Sequence, residues 1–198
     1  MNIVVCHGGG LDSLAALYYQ LKHTDDEIFV MHLHTFNFKS PKHEQQYFQM
    51  QIDWLLNNVR KFEYKIYYAP KSEIFKGKQD MRFMRKVIQI MNEKPKYDRI
   101  MSGRCLVDVD TSGDIWNDSS GVLFEEKTGK KYLEQRVRSY FFDKTKEDEF
   151  NFLPAELQQM IWTCHVPISN LQCGTCSKCT ELKDNNILDR LNNVYRNS

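Results

Sequence analysis

Ile3-Val4-Val5-Cys6-His7-Gly8-Gly9-Gly10-Leu11-Asp12-Ser13 is the stretch whose reading decides the fold. The β-branched run at its start reads as a buried strand. Leu14, Leu17, Tyr18 and Leu21 then recur at helical spacing, which predicts a helix beginning near Ser13. Between them stand three glycines, an aspartate and a serine. Glycine lets a backbone pass close to a ligand, and a helix start offers unpaired N–H groups to an anion. Strand, glycine turn and helix N-terminus in this order make a phosphate cradle. No Gly-Lys-Ser/Thr follows and no Gly-x-Gly-x-x-Gly is present, so neither a Walker loop nor a dinucleotide fingerprint fits. A plain strand-to-helix turn with Asp12 as a helix cap is the competing reading.

The pattern continues outward as alternating strands and helices. Glu27–His34 reads as a second strand, apolar through its middle. Phe48, Ile52, Leu55, Leu56 and Val59 mark an amphipathic helix. Residues 63–69 form a third strand, Met81, Met84, Ile88 and Met91 a further helical stripe, and residues 97–102 a fourth strand. Such alternation predicts an α/β fold: a Rossmann-like parallel sheet with right-handed crossovers and helices on both faces. Residues 121–133 read as a hairpin, the charge run Lys144–Glu149 as a solvated loop or helix face, and Leu153–Ile161 as a helix starting near Pro154. Leu188, Leu191 and Tyr195 sit at helical spacing in a tail that packs back on the body. The expected division is an α/β domain over 1–150 and a small helical, zinc-binding segment over 151–198.

Charge and cysteine content narrow the class. In 198 residues, 27 Lys and Arg offset 26 Asp and Glu, which argues against a large nucleic-acid or membrane footprint. The chain has no long apolar run, and its first residues enter a strand directly, so a cytoplasmic protein is expected. Six cysteines in that setting favour thiols and metal over disulfides. Four of them, Cys164, Cys173, Cys176 and Cys179, form C-x8-C-x2-C-x2-C. Four thiolates so close together match a closed tetrahedral zinc site of structural type. An iron–sulfur cluster is the competing occupant, since thiolates serve both. His165, next to the first cysteine, reads as a surface residue. Cys6 reads as a small buried hydrophobe, and His7, His32 and His34 as packing residues.

Gly9-Gly10-Leu11-Asp12-Ser13 resembles the PP-loop of the N-type ATP pyrophosphatases, Ser-Gly-Gly-x-Asp-Ser, with Gly8 in place of the leading serine. Together with Trp162-Thr163-Cys164 and Cys173-Gly174-x-Cys176-x-x-Cys179, it resembles the 7-cyano-7-deazaguanine synthase family. The resemblance implies ATP-dependent conversion of 7-carboxy-7-deazaguanine and ammonia to the nitrile through an adenylated carboxylate, with release of AMP and pyrophosphate. It implies that Gly8, Gly9, Gly10, Leu11, Asp12 and Ser13 hold the phosphates, with Asp12 organising magnesium and Ser13 stabilising the leaving pyrophosphate. Arg82 is a second phosphate clamp in this reading, and Gly103 with Asp108 belongs to a substrate loop in which Cys105 replaces the family's asparagine. His43-Glu44 occupies a similar helix start. ATP, magnesium and zinc are the expected cofactors, a small deazapurine carboxylate and ammonia the expected partners, and a homodimer the expected assembly. The other readings are a PP-loop tRNA-modifying sulfurtransferase or a degenerate nucleotide- or partner-binding homologue.

Overall fold

A computed structural model describes residues 2–34, 41–68, 93, 96, 97, 99–102, 140, 141 and 144–195. β1 (Asn2–Cys6) leads through the glycine turn into α1 (Leu11–His23), followed by β2 (Glu27–His34), α2 (Pro41–Asn58), β3 (Glu63–Tyr68) and β4 (Arg99–Ser102). The strands form one parallel sheet in the order β3-β2-β1-β4. Ile3, Val5, Ile28 and Val30 enter one core with Leu14 and Leu17 of α1 and Phe48, Ile52 and Leu55 of α2. The alternate side chains Val4, Phe29 and Met31 point the other way and are buried too, Phe29 beside Tyr97. Both faces of the sheet are therefore covered, which explains the unbroken apolar runs of β1 and β2.

The N-terminal α/β reading holds. α1 begins at Leu11, two residues before the expected start. The helical stripe Met81–Met91, the hairpin at 121–133, Arg82, Gly103, Cys105 and Asp108 lie outside the described residues. The charge run 144–149 is not a solvated face. Thr145 and Asp148 form a reciprocal capping box that starts α3 (Lys146–Phe152), and Lys146 and Glu149 of that helix are buried. The run was misread because its composition is that of a surface, while the Thr-x-x-Asp start turns two of its charges inward. α4 (Ala155–Gln158) begins after Pro154 as expected but ends after one turn. α5 (Ser177–Asp184) carries the last cysteine, and the tail forms a short 3₁₀ turn at Leu188–Arg190 instead of a helix. Leu188, Leu191 and Val194 bury against the same core as Ile161, Trp162 and Leu182.

One side chain ties these layers together. Gln51 on α2, fully buried, donates from its amide nitrogen to the carbonyls of Gly9 (2.9 Å) and Met160 (2.7 Å). Its amide oxygen accepts from His7 Nε2 at 2.7 Å. Replacing Gln51 with Leu leaves the Met160 carbonyl and a ring N–H unsatisfied in the interior, and the Gly9 carbonyl with only the 3.5 Å bond from the Trp162 N–H. Each orphaned group costs about 1–3 kcal/mol, so the variant is expected to lose at least ~2 kcal/mol in denaturant unfolding. A loss within experimental error would show that the bridge is dispensable.

Candidate functional site

The glycine turn sits where β1 leaves the sheet, and its shape follows from two residues. Gly9 has φ +88°, in the left-handed region that side chains resist, and its space is bounded by the Glu44 carbonyl and Phe48. Gly10 is the N-cap of α1 and makes no side-chain cap bond. Asp12 and Ser13 lie in the first turn, where backbone N–H groups have no partner within the helix. Asp12 is not a cap: its carboxylate is taken by Lys146. Gly8 is exposed, and nothing lies within 4 Å of where its Cβ would be.

Beside this turn lies an open cleft of about 190 Å³, lined by Gly8, Gly10, Asp12 and Glu44, by Lys146, and by Trp162, Thr163, His165, Lys178 and Glu181 from the C-terminal segment. Lys146, whose side chain is only 3% exposed, donates to Asp12 Oδ1 at 2.7 Å and lies 3.0 Å from Glu181 Oε1. Glu181 also holds Lys178 at 2.8 Å. Burial works against the Glu181 charge, but the two lysines outweigh it and lower its pKa. Two carboxylates and two ammonium groups thus alternate along one wall of the cleft. Sequence reasoning missed Lys146 and Glu181; the Thr145-x-x-Asp148 capping signature was the signal that Lys146 opens a helix.

His7 packs on Phe48, as a packing residue should, and it also holds Ser13. Since Gln51 accepts from Nε2, the His7 proton is on that nitrogen and Nδ1 is an acceptor. Ser13 Oγ lies 2.9 Å from Nδ1 and donates to it, while accepting from the Gly8 N–H at 3.3 Å. Burial, then the neighbouring His32 ring, brings the His7 pKa down to about 3, so the ring is neutral at working pH. His32 donates from Nδ1 to the His7 carbonyl at 3.0 Å, and burial lowers its pKa to about 4. Burial raises the Glu44 carboxyl to about 7, which makes it a proton-exchanging group in the cleft wall near neutral pH. Trp162 is stacked between His43 and Tyr47, each ring centre 4.8 Å away, and so fixes the far side of the cleft.

Cys164, Cys173, Cys176 and Cys179 come together with all sulfurs within 4.8 Å of one another. Pairs stand 3.6, 3.9 and 4.0 Å apart. Four sulfurs at ~2.3 Å from one tetrahedral ion are separated by about 3.8 Å, so the cluster fits a single ion. A four-iron cluster gives each cysteine a different iron and spreads the sulfurs wider. Gly174, with φ +75°, makes the turn between Cys173 and Cys176. Burial disfavours the Cys173 thiolate, yet the N–H groups of Thr175 and Cys176, the Thr175 hydroxyl and Cys164 bring its pKa down to about 6. Burial first, and then neighbouring sulfurs, push Cys164 up to about 11. A Cys173 sulfur that favours the thiolate, packed against the buried Cys164 and Cys179 thiols, is a donor set that a cation completes. His165 is not part of this group; it is half-buried in the cleft wall instead of lying on the surface.

No protein-family model matches the chain, and no curated protein matches it. Among solved structures it is similar to the U34-tRNA thiolase NcsA from Methanococcus maripaludis with its 4Fe-4S cluster. That likeness has 15% identity, covers 92% of this chain and 81% of that one, and has a TM-score of 0.42. It decides nothing about chemistry. Among the described residues no helix is long and apolar enough to cross a membrane.

Two measurements check this site. Metal analysis should find one ion per chain without the visible absorbance of an iron–sulfur cluster, and Cys173→Ser should lose it; iron with sulfide would contradict the single-ion geometry. Nitrogen NMR at pH 5 should show His7 uncharged with its proton on Nε2, because its folded pKa lies well below that pH. A charged ring at pH 5 would overturn the assigned hydrogen-bond direction.

Proposed function

We propose that the chain is an ATP-dependent adenylating enzyme that activates the carboxylate of 7-carboxy-7-deazaguanine for attack by ammonia. The observation that supports it best is the Asp12–Lys146 pair across an open glycine turn at a helix N-terminus. That arrangement offers N–H groups and an ammonium to phosphate oxygens, and a carboxylate to a cation. The resemblance of the glycine loop and the cysteine segment to the 7-cyano-7-deazaguanine synthase family supplies the substrate.

A carboxylate resists nucleophiles because its charge repels them and oxide does not leave. In the proposed reaction a substrate oxygen attacks the α-phosphorus of ATP and the bond to the bridging oxygen of pyrophosphate breaks. Charge then grows on the departing pyrophosphate, where the N–H groups of the turn and Lys146 meet it. Asp12 would hold magnesium, which would supply charge neutralisation to the phosphates. Ammonia displaces AMP to give the amide. Glu44 accepts the proton that the incoming nitrogen sheds, a role its pKa near 7 suits. A second adenylation, on the amide oxygen, and loss of AMP leave the nitrile. Zinc on the four cysteines is structural in this account, since four protein ligands leave no position for water.

Ser13 enters this scheme differently from the sequence reading. Its hydroxyl proton is committed to His7, so in this state it does not donate to an anion. The loss of a serine at Gly8 also brings no replacement from His7, whose ring is buried and pinned at both nitrogens.

Incubation with 7-carboxy-7-deazaguanine, ATP, magnesium and ammonium should yield AMP, pyrophosphate and the nitrile by mass spectrometry. Asp12→Ala should lower pyrophosphate release by roughly 100-fold or more. It should stay folded, because Glu181 still partners Lys146. Release of ADP and phosphate, or an Asp12→Ala protein as active as the parent, would refute the proposal.

A further inference from the structure

Three carboxylates among the described residues line the cleft, and they differ in what holds them. Asp12 meets Lys146 at 2.7 Å, and Glu181 meets Lys178 at 2.8 Å. Glu44, in the first turn of α2, makes no side-chain hydrogen bond or ion pair with any described residue. Its backbone lies against the glycine turn, the carbonyl 3.6 Å from where a Gly9 Cβ would be. Only part of the residue is exposed, and burial, with no charge to offset it, is what raises its pKa. A carboxylate drawn out of water without a partner is costly. A small ligand that brings N–H donors and a positive charge relieves that cost.

Ammonium is such a ligand. Near neutral pH ammonia in water is almost entirely ammonium, which has no lone pair and cannot attack. It has to be caught beside the activated carboxylate and relieved of a proton. Asp12 and Glu181 are engaged by lysines, whose ammonium groups also repel a second cation, whereas Glu44 lines the same cleft without such a pair. On the reading of the cleft as a carboxylate-activating site, we infer that Glu44 is the ammonium-binding residue. Its carboxylate accepts an N–H of the ion and then takes that proton. The freed lone pair forms a C–N bond at the acyl carbon, the C–O bond to AMP breaks, and AMP leaves with that electron pair. The new nitrogen sheds its remaining surplus proton to water on the open side of the cleft.

Hydroxylamine separates this role from a structural one. It is a neutral nucleophile near neutral pH and needs no deprotonation before it attacks. The experiment uses the metal-loaded full chain with ATP, magnesium and 7-carboxy-7-deazaguanine. Glu44→Gln should slow amide formation from ammonium by roughly 100-fold, with the ammonium KM raised. With hydroxylamine, which gives the hydroxamate by the same displacement, the variant should lose far less. Glu44→Asp should recover part of the ammonium reaction. A second measurement needs no turnover. In the parent, with its glutamate carboxyl carbons isotopically labelled and the Glu44 signal assigned from Glu44→Gln, ammonium chloride at constant ionic strength should shift that signal to saturation. Potassium chloride should leave it in place.

A Glu44 signal indifferent to ammonium, or moved equally by potassium, would overturn the inference. Equal losses with ammonium and hydroxylamine in Glu44→Gln would overturn it too, because Glu44 would then serve something other than the incoming nitrogen. A saturable ammonium shift in a parent protein that forms no AMP with either nucleophile would defeat the proposed reaction and leave the ammonium site standing.

Discussion

The buried amide of Gln51 is the contact on which the geometry of the cleft depends. It carries two donors and one acceptor, and it uses them on three different segments: the glycine turn, the end of the α4 region and the His7 ring. An amide in the interior is tolerated only when satisfied in this way, so the three segments are held in register or not at all. The direction of its bonds passes outward. Because the oxygen faces His7, the His7 proton sits on Nε2, Nδ1 receives the Ser13 hydroxyl, and the Ser13 oxygen receives the Gly8 N–H. The conformation of the turn is thus set from behind by α2, which also bounds Gly9 through the Glu44 carbonyl and Phe48.

The electrostatics of the cleft follow a second rule, that a buried charge must keep a partner. Asp12, Lys146, Glu181 and Lys178 alternate in sign, and each carboxylate meets at least one ammonium. The buried ammonium of Lys146 is held by two of these carboxylates, Asp12 and Glu181, beside the glycine turn. The same helix that supplies Glu181 carries Cys179, and Cys176 is its N-cap, so the cysteine cluster adjoins the wall of the cleft.

How much of this could be read from the residues follows from the kind of signal each feature leaves. The strand–glycine–helix unit was legible because its elements are local: a β-branched run, a turn that tolerates φ +88° at Gly9, and a helical stripe. The cysteine cluster was legible because its ligands are close in sequence. Lys146 was not, because a lysine in Lys144-Thr145-Lys146-Glu147-Asp148-Glu149 looks solvated, and its partners lie 134 residues before it and 35 after. Gln51 was invisible for the same reason, since nothing local distinguishes a glutamine that bridges Gly9 to Met160. The histidines read as packing residues do pack; that His7 also controls Ser13 depends on a contact made across the turn. The tail kept the expected burial of Leu188 and Leu191 but not of Tyr195, which is exposed, and not its helix, since a 3₁₀ turn over Leu188–Arg190 is followed by extended backbone at Leu191.

A structure of the protein with an α,β-methylene ATP analogue and magnesium tests the central claim most directly, because that analogue cannot be cut where the reaction requires. The account predicts the β- and γ-phosphates against the first-turn N–H groups of α1, the magnesium on Asp12, and Lys146 Nζ on a phosphate oxygen. An analogue bound elsewhere, with Lys146 still on Asp12 in a cleft that holds no phosphate, would contradict it.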